Sequence, residues 1–457
     1  MSLASVADFA GGSLLQGELT AMVENVSTDT RSVREGELFF ALRGDNFDAH
    51  EFVGDAAAMG AGAVVVDQMV TGVPDHCGVI KVPDTLSSLQ LMARRYREFL
   101  DPKVVGITGS NGKTSTKDMV TAVLRTRFSV NATIGNLNNH IGVPLSVLKT
   151  MPSDDYGVFE MGMNHPGEIE VLADIAQPDI GIITNVGVAH IEFMKTREAI
   201  ALEKGMLAEA VGRDGHVILN GEDSFTDSIA ARSRGKVIRA GIGSGDVLGK
   251  EVRSDGGKTH FVLVTPDGEG EVSIPLVGRH MVTNALLAAA TGWLAGLSTE
   301  EIAFGLGGAE ISGGRLQIKD LKGLSIVDDS YNANPDSMRA AVDTLAGLDC
   351  DGRRFAVLGG MAELGETAAE EHQKLGRLVR EKKIDFLLSV GEQARGITDG
   401  LSPNGGGRPA IAHFPAHEEC VEYLEENARS GDLVLVKGSR SARMEKVIEQ
   451  MEKGGPE

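Results

Sequence analysis

The stretch "TGSNGKTS" at 108–115 lies between an apolar run, "VVGIT", and a helix-forming one, "TSTKDMVTAVLRT". A strand, a glycine-rich turn and a helix start in that order aim several backbone N–H groups and a helix dipole at one anion. Gly109, Ser110, Asn111, Gly112, Lys113, Thr114 and Ser115 are therefore the candidate nucleotide cradle. Lys113 would reach the outer phosphates, and the Thr114 hydroxyl would bind Mg2+. The usual loop, G-x-x-x-x-G-K-[ST], requires a glycine at 107, where this chain has Ile107; its glycines fall at Gly106, Gly109 and Gly112 instead.

Other chemically capable residues sit at the ends of apolar runs. "YGVFEMG" ends in Glu160, and "TNVGVAHIE" carries Thr184, Asn185 and His190. Strand C-termini of an open α/β sheet face one crevice, and Mg2+ takes only one or two protein carboxylates. Glu160 and His190 thus join Thr114 as candidate metal-side residues, beside the phosphate-reaching Lys113. On spacing alone, Glu160 could equally open a helix and His190 be an ordinary loop histidine. Further on, Arg315 opens a new block and "DDSYNANP" at 328–335 places Asp329 at another strand end. That pattern suits a ribose or phosphate partner, and equally a common turn.

These groups need a framework. At 457 residues the chain is too long for one core, and ~150 residues per domain gives three. Residues 1–84 alternate "ELFFAL", "GAVVVD" and "GVIKV" with one Ala-rich helical segment near 49–60, a small N-terminal α/β domain. "DTLSSLQLMARRYREFL" predicts a helix capped at Asp84 or Thr85 and ended by Pro102. Residues 85–312 then alternate strands and helices around the phosphate loop, with a strand-rich insertion near 236–277, predicting a central P-loop domain with a mostly parallel sheet. Residues 313–457 repeat the alternation after two strands flanking a Lys322-Gly323 turn, predicting a Rossmann-like, doubly wound C-terminal domain.

A net charge of -21 argues against nucleic acid or an anionic membrane surface as a partner. Cys77, Cys350 and Cys420 show neither disulfide nor zinc spacing, which fits a reducing cytoplasm. The N-terminus has no basic region before an apolar one, so no secretory signal is expected. The longest apolar stretch, 285–297, falls short of the ~18 residues of a membrane span and is expected to be a buried helix. "ISGGRLQ" followed by "IVDDS" invites comparison with a transporter ATPase, but leaves no room for the helix such a signature needs. An N-K-x-D guanine-reading motif is missing, which weakens the switch-GTPase alternative.

Taken together, the motifs resemble the Mur ligase family, ATP-dependent amide ligases that build the peptide stem of bacterial cell-wall precursors. "TGSNGKT" matches the family's own variant of the loop. "STDTR", "FFALRGDNFDAHEF", "GNLNNHIGVP", "EMGMNHPGEI", "GRHMVTNALLA", "DDSYNANPDSM", "GGMAELG" and "LVKGSRSARME" follow in the expected order over nearly the whole chain. They are similar to the branch that joins D-alanyl-D-alanine to UDP-N-acetylmuramoyl-tripeptide through an acyl phosphate. The D-N-P-R-type motif of the diamino-acid-adding sister ligase is missing.

The resemblance implies site residues. Thr28, Asp29, Thr30, Arg31, Arg43, Gly44, Asp48 and His50 would lie at the uridine nucleotide, and Asn136, Asn139 and His165 at the muramoyl peptide. Asn284 would read adenine, while Arg315 and Asp329 would hold phosphate and ribose from the closing domain. Asn332, Lys437, Ser439 and Arg440 would lie near the dipeptide. Lys204, in "ALEKGML", would carry a carbamate facing a second Mg2+, although Met206 replaces the acidic residue that usually follows Lys-Gly. A cytoplasmic monomer is implied.

Overall fold

A computed structural model describes residues 1–44, 46–255, 257–399, 401 and 409–453. Three α/β sheets succeed one another along the chain, as the alternation of apolar runs predicts. The first has five strands in the order Ser13–Gln16, Gly78–Lys81, Ala63–Val66, Leu38–Phe40, Val26–Ser27. Its inner strands are the three apolar runs of the sequence. The two edge strands are short and part-exposed, so no apolar run marks them. The helical segment expected near 49–60 divides into a 3-10 turn, Ala49–Phe52, and a helix, Val53–Ala58.

Asp84 caps the helix Thr85–Leu100, its carboxylate accepting the Ser87 N–H at 2.7 Å. Leu89 and Met92 on this helix pack into the first module's core, and Ala93 packs into a core of the second. One helix thereby joins two modules.

The second sheet has nine strands. Lys103–Thr108 lies between Tyr156–Glu160 and Ile180–Ile183, parallel to both, with Ile107 beside Glu160 and Thr108 beside Ile183. This register brings the phosphate loop, Glu160 and the 184–190 segment to one edge. The connection from Lys103–Thr108 runs to one side of the sheet and that from its neighbour Ile180–Ile183 to the other, the topological switch where α/β sheets open a crevice. The strands expected as an insertion extend this same sheet: Lys236–Ile242 and Val247–Asp255 continue it in parallel, and Lys258–Thr265 and Gly268–Ile274 follow in antiparallel succession. Helix Arg279–Leu294 is buried on nearly all sides, with Ala285 through Ala290 fully enclosed, so its unbroken apolarity is that of a core helix. Among the described residues, no helix is long and apolar enough to cross a membrane.

The third sheet runs Gln317–Leu321, Leu324–Asp329, Leu433–Lys437, Arg354–Gly359, Phe386–Val390, Ala410–Phe414. All neighbours are parallel except the first pair. Those two strands flank Lys322-Gly323, and a two-residue link can only reverse the chain into a hairpin. Register sets Asp329 beside Lys437. A continuous apolar core, including Val123, Leu286, Val327 and Leu435, binds the second and third modules together.

Candidate active site

A cleft of about 940 Å³ opens where the strand ends of the second and third sheets face each other. The phosphate loop forms one wall. Gly109 has φ 153°, and a Cβ there would lie 1.8 Å from Thr184 Oγ1, so only glycine lets the loop approach the neighbouring strand end. Asn185 fastens the loop from behind: its carbonyl accepts the Ser110 N–H at 3.0 Å, and its side chain exchanges hydrogen bonds with the Asn111 backbone, both at 3.0 Å. Asn284, from the buried helix, lies against Gly112.

Helix Lys113–Leu124 starts at the loop, as expected. Lys113 folds its ammonium back onto the Gly109 carbonyl at 2.9 Å. Burial lowers its pKa, with Glu160 opposing and the charge of Arg315 assisting. Thr114 Oγ1 donates to Glu160 Oε2 at 2.7 Å, and Asn138 donates to Glu160 Oε1 at 2.7 Å. Glu160 is thus a buried carboxylate at the foot of the loop.

The opposite wall comes from the third module. Arg315 lays its guanidinium over the Tyr331 ring at 3.9 Å and donates to Thr114 Oγ1 at 3.2 Å. Asn334 donates to Asn111 Oδ1 at 2.7 Å, and Asp336 accepts the Val188 N–H at 2.9 Å. Asp329 forms an ion pair with Lys437 at 2.6 Å; burial raises its pKa while Lys437 pulls it down. Lys437 also donates to the Asn332 carbonyl at 2.9 Å, and Arg440 pairs with Glu445 at 2.9 Å. His280 lines the cleft nearby; burial, and secondarily the Lys437 charge, hold its pKa at about 4.

The cleft gathers Ser110 through Ser115, Asn136, Asn139, Glu160, His190, Asn284, Arg315, Asp329, Asn332, Lys437, Ser439 and Arg440. It does not include His165, which stands just outside with its ring 4.8 Å from that of Phe193. Lys204 is 2% exposed and lies behind the wall rather than in it. Burial, followed by the charge of Lys113, pushes its amine well below the usual lysine range against the pull of Glu203. Arg232 donates to two groups of the helix that carries Lys204, the Leu202 carbonyl at 2.9 Å and the Met206 sulfur at 3.4 Å, so a cation occupies the surroundings of Met206.

Thr28, Asp29, Thr30, Arg31, Arg43, Gly44, Asp48 and His50 belong to the first module, away from the cleft lining. Asp29 holds Arg31 at 2.7 Å. Arg43 bridges Asp48 at 3.1 Å and Asp67 at 2.8 Å, and buried His50 sits between the same two carboxylates at 2.6 and 3.2 Å. Asp67, Asn138, Tyr331, Asn334, Asp336 and Glu363 were not among the expected site residues. Five of them, all but Asp67, lie within motifs already singled out, "GNLNNHIGVP", "DDSYNANPDSM" and "GGMAELG", but only the folded chain shows that they meet the others.

A phosphate cradle at the switch point of a parallel sheet, with a second sheet closing the same cleft, defines a P-loop nucleotide enzyme whose site is shared by two modules. The chain belongs to the Mur ligase family: residues 107–292 match the Mur ligase middle domain, and residues 314–440 match the domain described as Mur ligase, glutamate ligase domain. It is 36% identical to the UDP-N-acetylmuramoyl-tripeptide--D-alanyl-D-alanine ligase of Bacillus subtilis, covering 98% of this chain and 97% of the relative. Identity to the Escherichia coli protein of the same name is 35%, over 100% and 99% of the two chains. The crystal structure of MurF from Acinetobacter baumannii superposes with a TM-score of 0.90 at 30% identity, covering 99% and 98% of the chains. MurF ligase from Thermotoga maritima, solved in complex with ADP, gives 0.82 at 29% identity over 94% and 97%.

Proposed function

We propose that this enzyme joins D-alanyl-D-alanine to UDP-N-acetylmuramoyl-tripeptide, converting ATP to ADP and phosphate, in peptidoglycan precursor synthesis. The observation that carries the reading is the shared cleft: Lys113, Thr114 and Glu160 on one wall face Arg315, Asp329 and Lys437 on the other. The full-length likeness to ligases of that name supports it.

In this reading, residues 1–84 hold the uridine nucleotide through the Thr28–Arg31 and Arg43–His50 segments. Residues 85–312 hold ATP, with Asn284 against the base, and residues 313–457 bring the dipeptide, whose carboxylate would meet Ser439 and Arg440. A carboxylate does not acylate an amine in water, because its oxygen is too poor a leaving group. Attack of the tripeptide's terminal carboxylate on the γ-phosphorus releases ADP and gives an acyl phosphate. The dipeptide amine then attacks the acyl carbon, and phosphate departs. Such phosphoryl transfer is mainly positioning and charge neutralisation. Lys113 turns from the Gly109 carbonyl toward the phosphates, Arg315 neutralises charge from the facing wall, and the loop N–H groups orient the anion.

Thr114 Oγ1 and Glu160 Oε2, hard oxygens 2.7 Å apart beside the loop, fit a Mg2+ that takes few protein ligands. Held by Thr114 and Glu160, such an ion would supply positive charge that offsets the charge of the transferring phosphate. His190 lines the same wall and could serve a second ion. Carbamylation requires an uncharged lysine amine, and the buried setting of Lys204 favours one. The enzyme would act as a cytoplasmic monomer.

Phosphate release from purified enzyme, with ATP and each co-substrate omitted in turn, tests the function. Release is expected only with UDP-N-acetylmuramoyl-tripeptide and D-alanyl-D-alanine both present. Release indifferent to either omission would reject the ligase reading in favour of an ATP-driven switch or transporter subunit.

A further inference from the structure

The segment 187–192 of the second module is gripped by the third. Asp336 takes the Val188 N–H at 2.9 Å, and the Glu363 carbonyl accepts the Glu192 N–H at 3.3 Å. Between these bonds, Glu363 Oε2 lies 2.5 Å from His190 Nδ1. Both partners have left-handed backbones, His190 at φ 62° and Glu363 at φ 59°. Neither is glycine, and such conformations persist only where the surroundings over-determine them. Here two strained residues on different modules meet in one short bond, and both line the cleft.

The chemistry of the bond is directional. A carboxylate only accepts, so Nδ1 must carry the proton. In a neutral ring that leaves Nε2 as a lone-pair donor, and a histidine's tautomer is set in this way by the bond its other nitrogen makes. The carboxylate that sets it comes from the third module. A free second module would leave the His190 ring without this partner.

We propose that Glu363 is a positioning residue: docking of the third module fixes the ring and tautomer of His190 through Nδ1, so that Nε2 is presented to the cleft only when the two walls are together. This rests on the reading of the cleft as the ATP-dependent ligase site. Docking then does more than deliver Arg315 and the dipeptide segment. It also completes the second module's own wall, suppressing ATP turnover while the cleft is open.

The test compares Glu363→Ala with Glu363→Gln, whose amide oxygen still accepts from Nδ1–H. Glu363→Ala is expected to lower kcat about 10–100-fold, the usual loss when an orienting partner is removed, with KM for UDP-N-acetylmuramoyl-tripeptide changed less than about twofold. Glu363→Gln should recover most of the rate. Nitrogen-15 NMR of the histidine rings, with the His190 signal assigned by its loss in His190→Asn, supplies a second readout. In the full-length wild-type protein, His190 should be the Nδ1–H tautomer; in Glu363→Ala it should become a mixture, and in Glu363→Gln remain Nδ1–H. Turnover of Glu363→Ala within twofold of wild type, or an unchanged His190 tautomer in that variant, overturns the proposal. Should Glu363→Ala fold poorly, Glu363→Gln decides: a rate as low as that of His190→Asn, with the tautomer kept, refutes positioning through this bond. If wild-type phosphate release needs no co-substrate, the ligase reading fails, while the ring spectra still decide whether Glu363 sets His190.

Discussion

Arg315→Ala separates what the third module contributes to catalysis from what it contributes to folding. The side chain stacks on Tyr331 at 3.9 Å and reaches Thr114 Oγ1 at 3.2 Å across the cleft. Losing a cation–π contact of this kind costs ~0.5–2 kcal/mol, and the charge-assisted hydrogen bond ~1.5–3 kcal/mol. These losses are small beside the apolar core that joins the two modules. The effect on phosphoryl transfer should be larger, because a preorganised cationic donor removed from such a site typically costs about 10²–10³ in kcat, or roughly 2.7–4 kcal/mol. Arg315→Lys keeps the charge but forfeits the flat stacking on Tyr331, so it should fall between, about fivefold below wild type for a loss near 1 kcal/mol. The assay is steady-state phosphate release with each substrate varied in turn, beside calorimetric binding of UDP-N-acetylmuramoyl-tripeptide and thermal melting. The uridine nucleotide is assigned to the first module, so its affinity should be unchanged in both variants. Binding that weakens in step with kcat would refute the division of labour. A Arg315→Lys rate equal to wild type would show that charge alone matters and that the stacking on Tyr331 does nothing.

Lys204→Ala should abolish ligation and regain part of it with millimolar-scale formate or acetate, which can take the place of a carbamate; near-normal turnover in the unrescued variant would dismiss the carbamate. Gly187→Ala should weaken docking of the third module, because the added Cβ would lie 2.2 Å from Asp336 Oδ2. Combined with Asp336→Ala, it should cost less than the sum of the two single effects, a coupling of roughly 0.5–3 kcal/mol in a double-mutant cycle read by turnover. His280 is held at about 4 by burial, against an ordinary 6.5. Between those values the unfolded chain takes up a proton that the folded one refuses, so the contribution of His280 is full above pH 6.5 and is lost as pH falls toward 4. Melting temperature against pH should therefore fall less steeply across that window in His280→Phe than in wild type, and parallel curves would contradict the assignment.

Much of the architecture was legible in the sequence because it follows from local chemistry. Short runs rich in β-branched residues such as "VVGIT" read as strands buried on both faces, and their alternation with helical stretches implies parallel pairing. Asp84 before its helix, and the glycines before Lys113, mark their elements by short-range hydrogen bonding and backbone freedom. The loop's phosphate chemistry is likewise local, written in eight consecutive residues. What depended on neighbours distant in the chain could not be read this way. Strands Ser13–Gln16 and Val26–Ser27 form where an adjacent strand offers them unpaired backbone groups, and at four and two residues they are too short to carry a strand period of their own. Gln317–Leu321 and Leu324–Asp329 were legible as two strands around the Lys322-Gly323 turn, but their place at the edge of the third sheet, beside Leu433–Lys437, was not. The pairings of His190 with Glu363, Thr114 with Arg315, and Asn111 with Asn334 join residues 173, 201 and 223 positions apart. No periodicity spans such distances; those contacts were decided by the packing of two sheets around one core, which alone brings their strand ends face to face.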